Sequence, residues 1–417
     1  MQRYLSLLFL ILLLGGCVTK QSQLDEAKID ALLLQAGYLE SNGYHLTAAN
    51  LYKKLYQSIH SEEIFTKMIQ NLIQAKKYDE AMEYLQKQLK NHPSKQLYEL
   101  AATIALAKKE YDKAIFYINK ALQIQKDAKD LAFLGSIYLA KKQYELALKY
   151  YKSAYALKPS DELITSIAYI MYFYLDKKNE AIAYLETHIR LYGCAKKTCS
   201  TLISLYSLQN NIDGLISTYK RLYETYKEKI YLKKIIELYL YKKDFYHALT
   251  WAKKAGDKKL LLELYRAVKD YEQAYRLALE LYQQTKDPNY LAQAAIFEYE
   301  KAKVKDKKLL EDVAKKLEQA IKEVDSPLYE NYLGYLYIEH DLDIPRGIEL
   351  VKRALAKEPD SPYYLDSLAW GYYKLGRCKE ALKIIKRVYY ELGLKDPEIQ
   401  SHLQKIEQCA KERRDTR

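Results

Sequence analysis

The stretch that decides the fold runs from Asp127 to Pro159 and reads DAKDLAFLGSIYLAKKQYELALKYYKSAYALKP. Its apolar residues recur at helical spacing on both sides of a short polar turn, so it predicts two amphipathic helices. Gly135 and Ala147 are small residues, expected where the two helices cross. Tyr138 and Tyr151 are expected to fill the space around that contact, and the final proline marks the turn to the next unit.

The same pattern recurs along most of the chain. A small residue early in the second helix serves as its marker, and neighbouring markers lie 33 or 34 residues apart. These markers are Ala48, Ala81, Ala114, Ala147, Ala181, Gly214 and Ala248. Because Ala and Tyr are common on helices, one match would say little, but a series in phase predicts a repeated helical hairpin.

This spacing resembles the tetratricopeptide repeat, a helix–turn–helix unit of about 34 residues. The resemblance covers roughly residues 28–394. It implies an all-α solenoid, a right-handed superhelix of stacked hairpins ended by a C-terminal capping helix. The expected divisions are an N-terminal array (28–256), irregular repeats where the period slips (257–326), a C-terminal pair of repeats (327–394), and a capping helix with a tail (395–417).

The N-terminus has the features of a targeting signal. A basic start is followed by the apolar run Tyr4–Leu14, which is too short to cross a bilayer comfortably. The following letters, LGGC, resemble a bacterial lipoprotein signal, which implies removal of residues 1–16, a lipidated Cys17 and a tether over residues 17–27. The alternative is an ordinary signal peptide with a chance cysteine. Val18, where Asp would imply inner-membrane retention, favours the outer membrane, facing the periplasm.

The net charge of +13 admits two interpretations. It could draw the chain to an anionic surface, such as lipid headgroups or an acidic partner. It could also reflect the use of Lys as a helix former on solvated faces. We expect no nucleic-acid partner, because the resemblance to a lipoprotein signal places the chain outside the cytoplasm.

No motif indicates chemistry. The sequence has no Gly-rich phosphate loop, no paired-His metal motif and no Ser elbow. The histidines are scattered, with one to a repeat or fewer. We therefore expect no catalytic residue, metal, cofactor or small-molecule substrate.

Four cysteines remain beyond the signal, and an oxidising compartment allows them to pair. Cys194 and Cys199 flank a short loop between helices. Cys378 and Cys409 lie about equally far from a chain reversal near Gly393, so they come level on antiparallel helices. We predict the disulfides Cys194–Cys199 and Cys378–Cys409; the alternative is that all four are reduced.

The resemblance also implies a working surface on the inner face of the superhelix, built by first helices. In the last two repeats the matching positions are Asn331, Tyr335, Ile338, Tyr363, Asp366, Trp370 and Tyr373. Flat aromatics beside Asn and Asp suit a bound peptide or helix. The alternative is that these aromatics pack on one another and on the capping helix.

Together these features predict an outer-membrane-anchored scaffold that holds protein partners in an envelope assembly, such as β-barrel, pilus or flagellar assembly or secretion. The competing hypothesis is a subunit of an envelope enzyme complex with an unrecognised active site.

Overall fold

The computed structural model describes residues 26–393 and 396–415, with side chains to Glu412. Cys17 and most of its tether lie outside these residues. The chain forms two compact units that divide between Asn210 and Asn211. Every regular element in the described ranges is helical, so the all-α solenoid predicted from the periodicity is confirmed.

Unit 1 consists of helices in sequence, most of them joined by short turns. They are α1 (Glu26–Ser41), α2 (His45–Ile59), α3 (Glu62–Gln74), α4 (Tyr78–Asn91), α5 (Lys95–Ala107), α6 (Tyr111–Ile124), α7 (Ala128–Ala140), α8 (Tyr144–Leu157), α9 (Asp161–Phe173), α10 (Lys178–Tyr192) and α11 (Lys196–Leu208). Each helix packs on the next one, which is the stacking that a row of helical hairpins requires.

Unit 2 continues in the same manner and ends in a longer helix. Its elements are α12 (Ile212–Tyr226), α13 (Lys229–Tyr241), α14 (Phe245–Ala255), α15 (Lys258–Ala267), α16 (Tyr271–Thr285), α17 (Pro288–Lys301), α18 (Lys307–Ala320), α19 (Pro327–Glu339), α20 (Ile344–Lys357), α21 (Pro362–Lys374), α22 (Cys378–Lys386), a π-helical turn (Arg387–Glu391) and α23 (Pro397–Asp415). Helix α15 has only 10 residues, which explains why Ala274 follows Ala248 so closely.

The marker residues lie at the contact between the two helices of a hairpin. All six marker alanines are fully buried. A Cβ on Gly135 would lie 3.0 Å from the Tyr151 ring, so this glycine accommodates the tyrosine. Gly334 and Gly347 approach more closely, since a Cβ on either would lie 2.6–2.7 Å from the carbonyl oxygen of the other. Helices α19 and α20 therefore touch backbone to backbone.

The turn inside each hairpin uses one residue in the left-handed region. Gly supplies it at Gly43 and Gly376, but Lys does so at Lys76, Lys109 and Lys142, with φ between +58° and +60°. The backbone amide of the left-handed residue bonds to a carbonyl three residues back, which ends the first helix. A lysine in this conformation strains the backbone, because its Cβ crowds the following carbonyl.

Ion pairs repeat with the hairpins. The lysine at the end of one first helix reaches the aspartate in the first turn of the preceding second helix, 29 residues earlier. The Nζ–Oδ1 distance is 2.6 Å for Lys108–Asp79, for Lys141–Asp112 and for Lys242–Asp213. These pairs tie neighbouring hairpins together at the turn end of the stack.

Candidate functional site

The face predicted to bind a partner in the last two repeats is covered by α23. This helix buries an apolar stripe, Ile399, Leu403, Ile406 and Ala410, and the first three belong to the core around α21 and α22. The expected polar cap is therefore an amphipathic helix that lies where a partner helix was predicted to lie.

Trp370 is the centre of this contact. Its indole stacks on His402 of α23 at 4.0 Å and on Tyr373 at 4.7 Å between ring centroids. Its Nε1 donates a hydrogen bond to Glu339 at 2.6 Å, and the side chain is 5% exposed. The prediction of Trp370 as an accessible anchor is wrong in this structure, because α23 already fills the space above the ring. The alternative stated above, packing on the capping helix, describes it.

The other residues of that predicted groove divide in the same way. The Tyr335 hydroxyl donates to Glu398 of α23, and the Asp366 carboxylate lies 3.1 Å from His402 Nδ1. Burial raises the pKa of Asp366, and the contact with His402 opposes that rise. Ile338 is fully buried, whereas Tyr363 is 59% exposed. The Asn331 amide oxygen is buried and has no hydrogen-bond partner among the described residues.

Both predicted cysteine pairs are joined in the structure. Cys194 and Cys199 have Cα atoms 5.7 Å apart and close the loop between α10 and α11. Cys378, at the start of α22, and Cys409, near the end of α23, have Cα atoms 5.8 Å apart. The second bridge fastens the C-terminal half of α23 to the last repeat, so it holds the covering helix in place.

An open surface lies elsewhere, on the first helices of unit 1. A cavity of about 450 Å³ runs across α5, α7 and α9, and a second of about 350 Å³ lies between α3 and α5. The two share Gln70 and Gln96 in their walls, so they form one continuous depression, which we call the trough. Its polar wall is Glu63, Thr66, Gln70, Gln96, Glu99, Thr103, Lys129, Asp130, Ser136, Glu162 and Ser166.

The trough follows the repeat. Glu63, Gln96, Lys129 and Glu162 occupy one position of four successive first helices, 33 residues apart. Because the same position points the same way in every hairpin, these side chains form a row along the trough. First helices of neighbouring repeats are spaced by about 10 Å, so the row spans about 30 Å, enough for roughly nine residues of extended peptide.

Charges in the trough are arranged around Lys95. Its ammonium group contacts Asp127, Asp130 at 3.0 Å and Glu99 at 3.7 Å. Burial raises the pKa of Asp130, and Lys95 opposes that rise; the Asp127 carboxyl, also bonded by Lys95, has a lowered pKa. Lys129 pairs with Glu99 at 3.0 Å. Opposite charges thus neutralise one another along the wall, and the trough carries no strong field of one sign.

Several polar atoms in the trough lack a partner within the described chain. Gln70 and Gln96 are exposed, and no hydrogen bond engages either side-chain amide. The Thr66 hydroxyl is 5% exposed and is also without a hydrogen bond. A carboxamide carries both donor and acceptor groups, which is what pairing with the backbone of an extended peptide requires. The sequence prediction missed these residues, although their 33-residue spacing was visible.

The most tightly linked titratable cluster lies away from the trough. His188 Nδ1 is 2.7 Å from the Tyr155 hydroxyl, and its Nε2 is 3.0 Å from Asp161, which also accepts from Thr198. The Thr198 hydrogen bond lowers the pKa of Asp161, and His188 lowers it further. His188 is 3% exposed and Thr198 is fully buried, so the cluster joins α9, α10 and α11 and offers no room for a substrate.

Two searches of the described residues concern other classes of site. No group of three or more His, Cys, Asp or Glu side chains in these ranges is arranged to hold a metal ion. No helix that the structure describes has both the length and the apolar character that a bilayer crossing needs.

Comparisons with known proteins concern the repeats. The family model described as tetratricopeptide repeat matches residues 66–130. The model described as anaphase-promoting complex, cyclosome, subunit 3, whose repeats are of the same type, matches residues 107–188. No curated protein matches the chain.

Solved structures with similar helical stacking include the APC/C hetero-tetramer Cut9-Hcn1, at 13% identity over 93% of this chain and 91% of that one, with a TM-score of 0.35. PilF of Pseudomonas aeruginosa is 15% identical over 49% of this chain and 95% of that one, with a TM-score of 0.37. The Naa15/Naa10 structure bound to HypK-THB is 14% identical over 83% of this chain, with a TM-score of 0.35. This chain covers 65% of that partner in the comparison, which is less than two thirds.

The matched repeats lie within the in-phase series of hairpins, and the rest of the described chain continues the same stacking. Repeats of this type support a scaffold for interactions between proteins. The chain is a tetratricopeptide-repeat protein.

Proposed function

We propose that this protein is a lipid-anchored scaffold of the bacterial outer membrane that faces the periplasm and binds an extended segment of a partner protein in the trough of unit 1. The partner belongs to an envelope assembly, of which β-barrel, pilus, flagellar and secretion machineries are the candidate classes. The lipoprotein-like LGGC stretch supports the location, and the open trough supports the mode of binding.

The observation that carries the proposal is the pair of unengaged glutamine amides at the middle of the trough. Gln70 and Gln96 project from neighbouring first helices and lie in the walls of both cavities. A partner backbone lying across them gains hydrogen bonds that the free protein does not make. The neutralised charges around Lys95 suit a polar segment without a large net charge.

The C-terminal repeats have a different role in this proposal. With α23 packed over Trp370 and fastened by Cys378–Cys409, their inner face acts as the closed end of the array. A stacked array needs such an end, because the last hairpin otherwise leaves an apolar face in water. The partner site is therefore assigned to unit 1 and not to the last two repeats.

Site-specific photo-crosslinking in native cells tests the proposal. A photoreactive residue replaces Ser136 in the trough wall, and the matched control replaces Asn119, which is exposed on the second helix α6. We expect one envelope protein to crosslink at position 136 and not at position 119. Equal crosslinking at both positions, or crosslinks at position 119 alone, would contradict the assignment of the trough.

A further inference from the structure

The positive charge of unit 2 is confined to its first helices. Residues 211–260 contain 12 Lys and Arg against 6 Asp and Glu, whereas residues 261–417 contain 28 of each. A solvated helix surface rich in Lys would spread its charge along the whole unit. The concentration in one segment asks for a separate explanation.

The free lysines of this segment gather at one end of the helices. Consecutive helices α12, α13, α14 and α15 run in alternating directions and pack on one another. The C-terminal ends of α12 and α14 therefore lie beside the N-terminal ends of α13 and α15. This end, which we call the basic end, presents Lys227, Lys229, Lys253, Lys254 and Lys259.

These five lysines are exposed, and none is in an ion pair in the described chain. Two of them rest on aromatic rings: Lys254 lies 4.1 Å from the centre of the Trp251 ring and Lys253 lies 5.4 Å from that of Tyr265. Such contacts hold an ammonium group at the surface without neutralising it.

The carboxylates at this end do not cancel the charge. Asp257 accepts hydrogen bonds from the first backbone amides of α15, and Glu280 is engaged by Lys258 at 2.7 Å. Glu224 and Glu228 lie beside Lys227 in the chain. The five lysines thus outnumber the carboxylates that remain to face them.

An apolar residue stands among the lysines. Ile230, in the first turn of α13, is 53% exposed and follows Lys229 directly. Lysines around an exposed aliphatic side chain match an anionic bilayer, in which headgroups meet the ammonium groups and the aliphatic side chain enters the interface. A soluble acidic polypeptide has no use for the exposed isoleucine.

We propose that the basic end of unit 2 binds an anionic lipid surface. Lysine suits this role because it is a compact point charge that requires no bidentate partner. The proposal does not depend on acylation of Cys17, nor on the trough.

Vesicle co-sedimentation tests it with the full chain carrying Cys17→Ser, so that no acyl chain contributes. The vesicles contain equal parts of phosphatidylglycerol and phosphatidylcholine, or phosphatidylcholine alone. Each lysine near an anionic surface contributes about 1 kcal/mol, or about five-fold in partition coefficient. Replacing all five lysines of the basic end by Gln should lower partition into the anionic vesicles at least about 100-fold, and salt should do the same to the parent chain.

A control variant of the same net charge removes five exposed lysines from other places. It carries Lys54→Gln, Lys87→Gln, Lys149→Gln, Lys315→Gln and Lys322→Gln. We expect this control to retain most of the partition, and circular dichroism should show both variants folded. Equal losses in the two variants would overturn the proposal, because they would show that net charge alone drives binding.

A second variant separates a bilayer from an acidic polypeptide. Ile230→Ser should lower partition into anionic vesicles about ten-fold, since a half-exposed aliphatic side chain no longer enters the interface. Its binding to soluble polyglutamate should not change. No preference of the parent chain for anionic over neutral vesicles, or loss of polyglutamate binding alone in the five-lysine variant, would overturn the proposal.

Discussion

Adding one methyl group at Gly347 should destabilise unit 2. An alanine Cβ there would lie 2.6 Å from the Gly334 carbonyl oxygen, 2.8 Å from Ile338 Cγ1 and 3.2 Å from Tyr337 Cβ. The oxygen belongs to a helix backbone and cannot rotate away, so α19 and α20 must move apart. Overpacking of this kind costs about 3 kcal/mol at the upper end of the usual range. Alanine regains about 1 kcal/mol of helix propensity, which leaves a net loss of about 2 kcal/mol.

Two other glycines calibrate this number. At Gly37, in α1, a Cβ meets nothing within 4 Å, so Gly37→Ala should stabilise unit 1 by about 0.5–1 kcal/mol. At Gly371 the obstacle is the Ile348 side chain at 2.7 Å, which can change rotamer. Gly371→Ala should therefore cost less than Gly347→Ala. The expected order of stability is Gly37→Ala above the parent chain, then Gly371→Ala, then Gly347→Ala.

Thermal unfolding followed by circular dichroism measures the effect. For a unit of about 200 residues, a loss of 2 kcal/mol lowers Tm by roughly 4–8 °C. Amide exchange shows where the loss occurs, because a solenoid can open one hairpin at a time. A Gly347→Ala protein with unchanged Tm and unchanged protection of α19 and α20 would refute the backbone-to-backbone contact.

Further predictions concern the turns, the cysteines and acid stability. Lys109→Gly should stabilise unit 1 by about 0.5–1 kcal/mol in thermal unfolding, since Gly adopts the left-handed turn without strain. Intact mass should show the mature protein beginning at Cys17 with acyl chains, and Cys17→Ser should release it from membranes. Cys409→Ser should cost about 3–4 kcal/mol, because the bridge closes a loop of about 30 residues, and amide exchange should rise in α23 but not in α19. Thr198→Val should cost about 1–2 kcal/mol at neutral pH. Because the pKa of Asp161 is lowered in the folded state, its contribution is lost as pH falls through that value, so urea titrations should show the Thr198→Val deficit shrinking in acid.

The hairpins could be predicted from the sequence because their markers obey a steric rule. Ala81, Ala114 and Ala147 are fully buried where helices cross, and any larger residue would separate the helices. The rule is weaker at Gly214, which is partly exposed. The sequence pattern does not reveal which hairpins touch backbone to backbone, since that depends on both partners, as at Gly334 and Gly347.

The location of the open surface could not be predicted in the same way. The predicted C-terminal groove treated the last helix as a polar cap, yet Ile399, Leu403 and Ile406 already formed an apolar stripe at helical spacing. A helix with such a stripe must bury it, and the inner face beside Trp370 is where it does so. The trough escaped notice because its equivalent positions differ in identity from repeat to repeat, for example Gln96 and Lys129.

The most direct test of the central claim is the affinity of the crosslinked partner for a protein with an altered trough. The variant carries Gln70→Ala and Gln96→Ala, and Asn119→Ala on the opposite helix is its matched control. Each lost hydrogen bond is worth about 1 kcal/mol, so isothermal titration should give a Kd raised roughly 30-fold for the double variant and unchanged for the control. An unchanged Kd in the double variant, with the fold intact, would contradict the claim that the trough binds the partner.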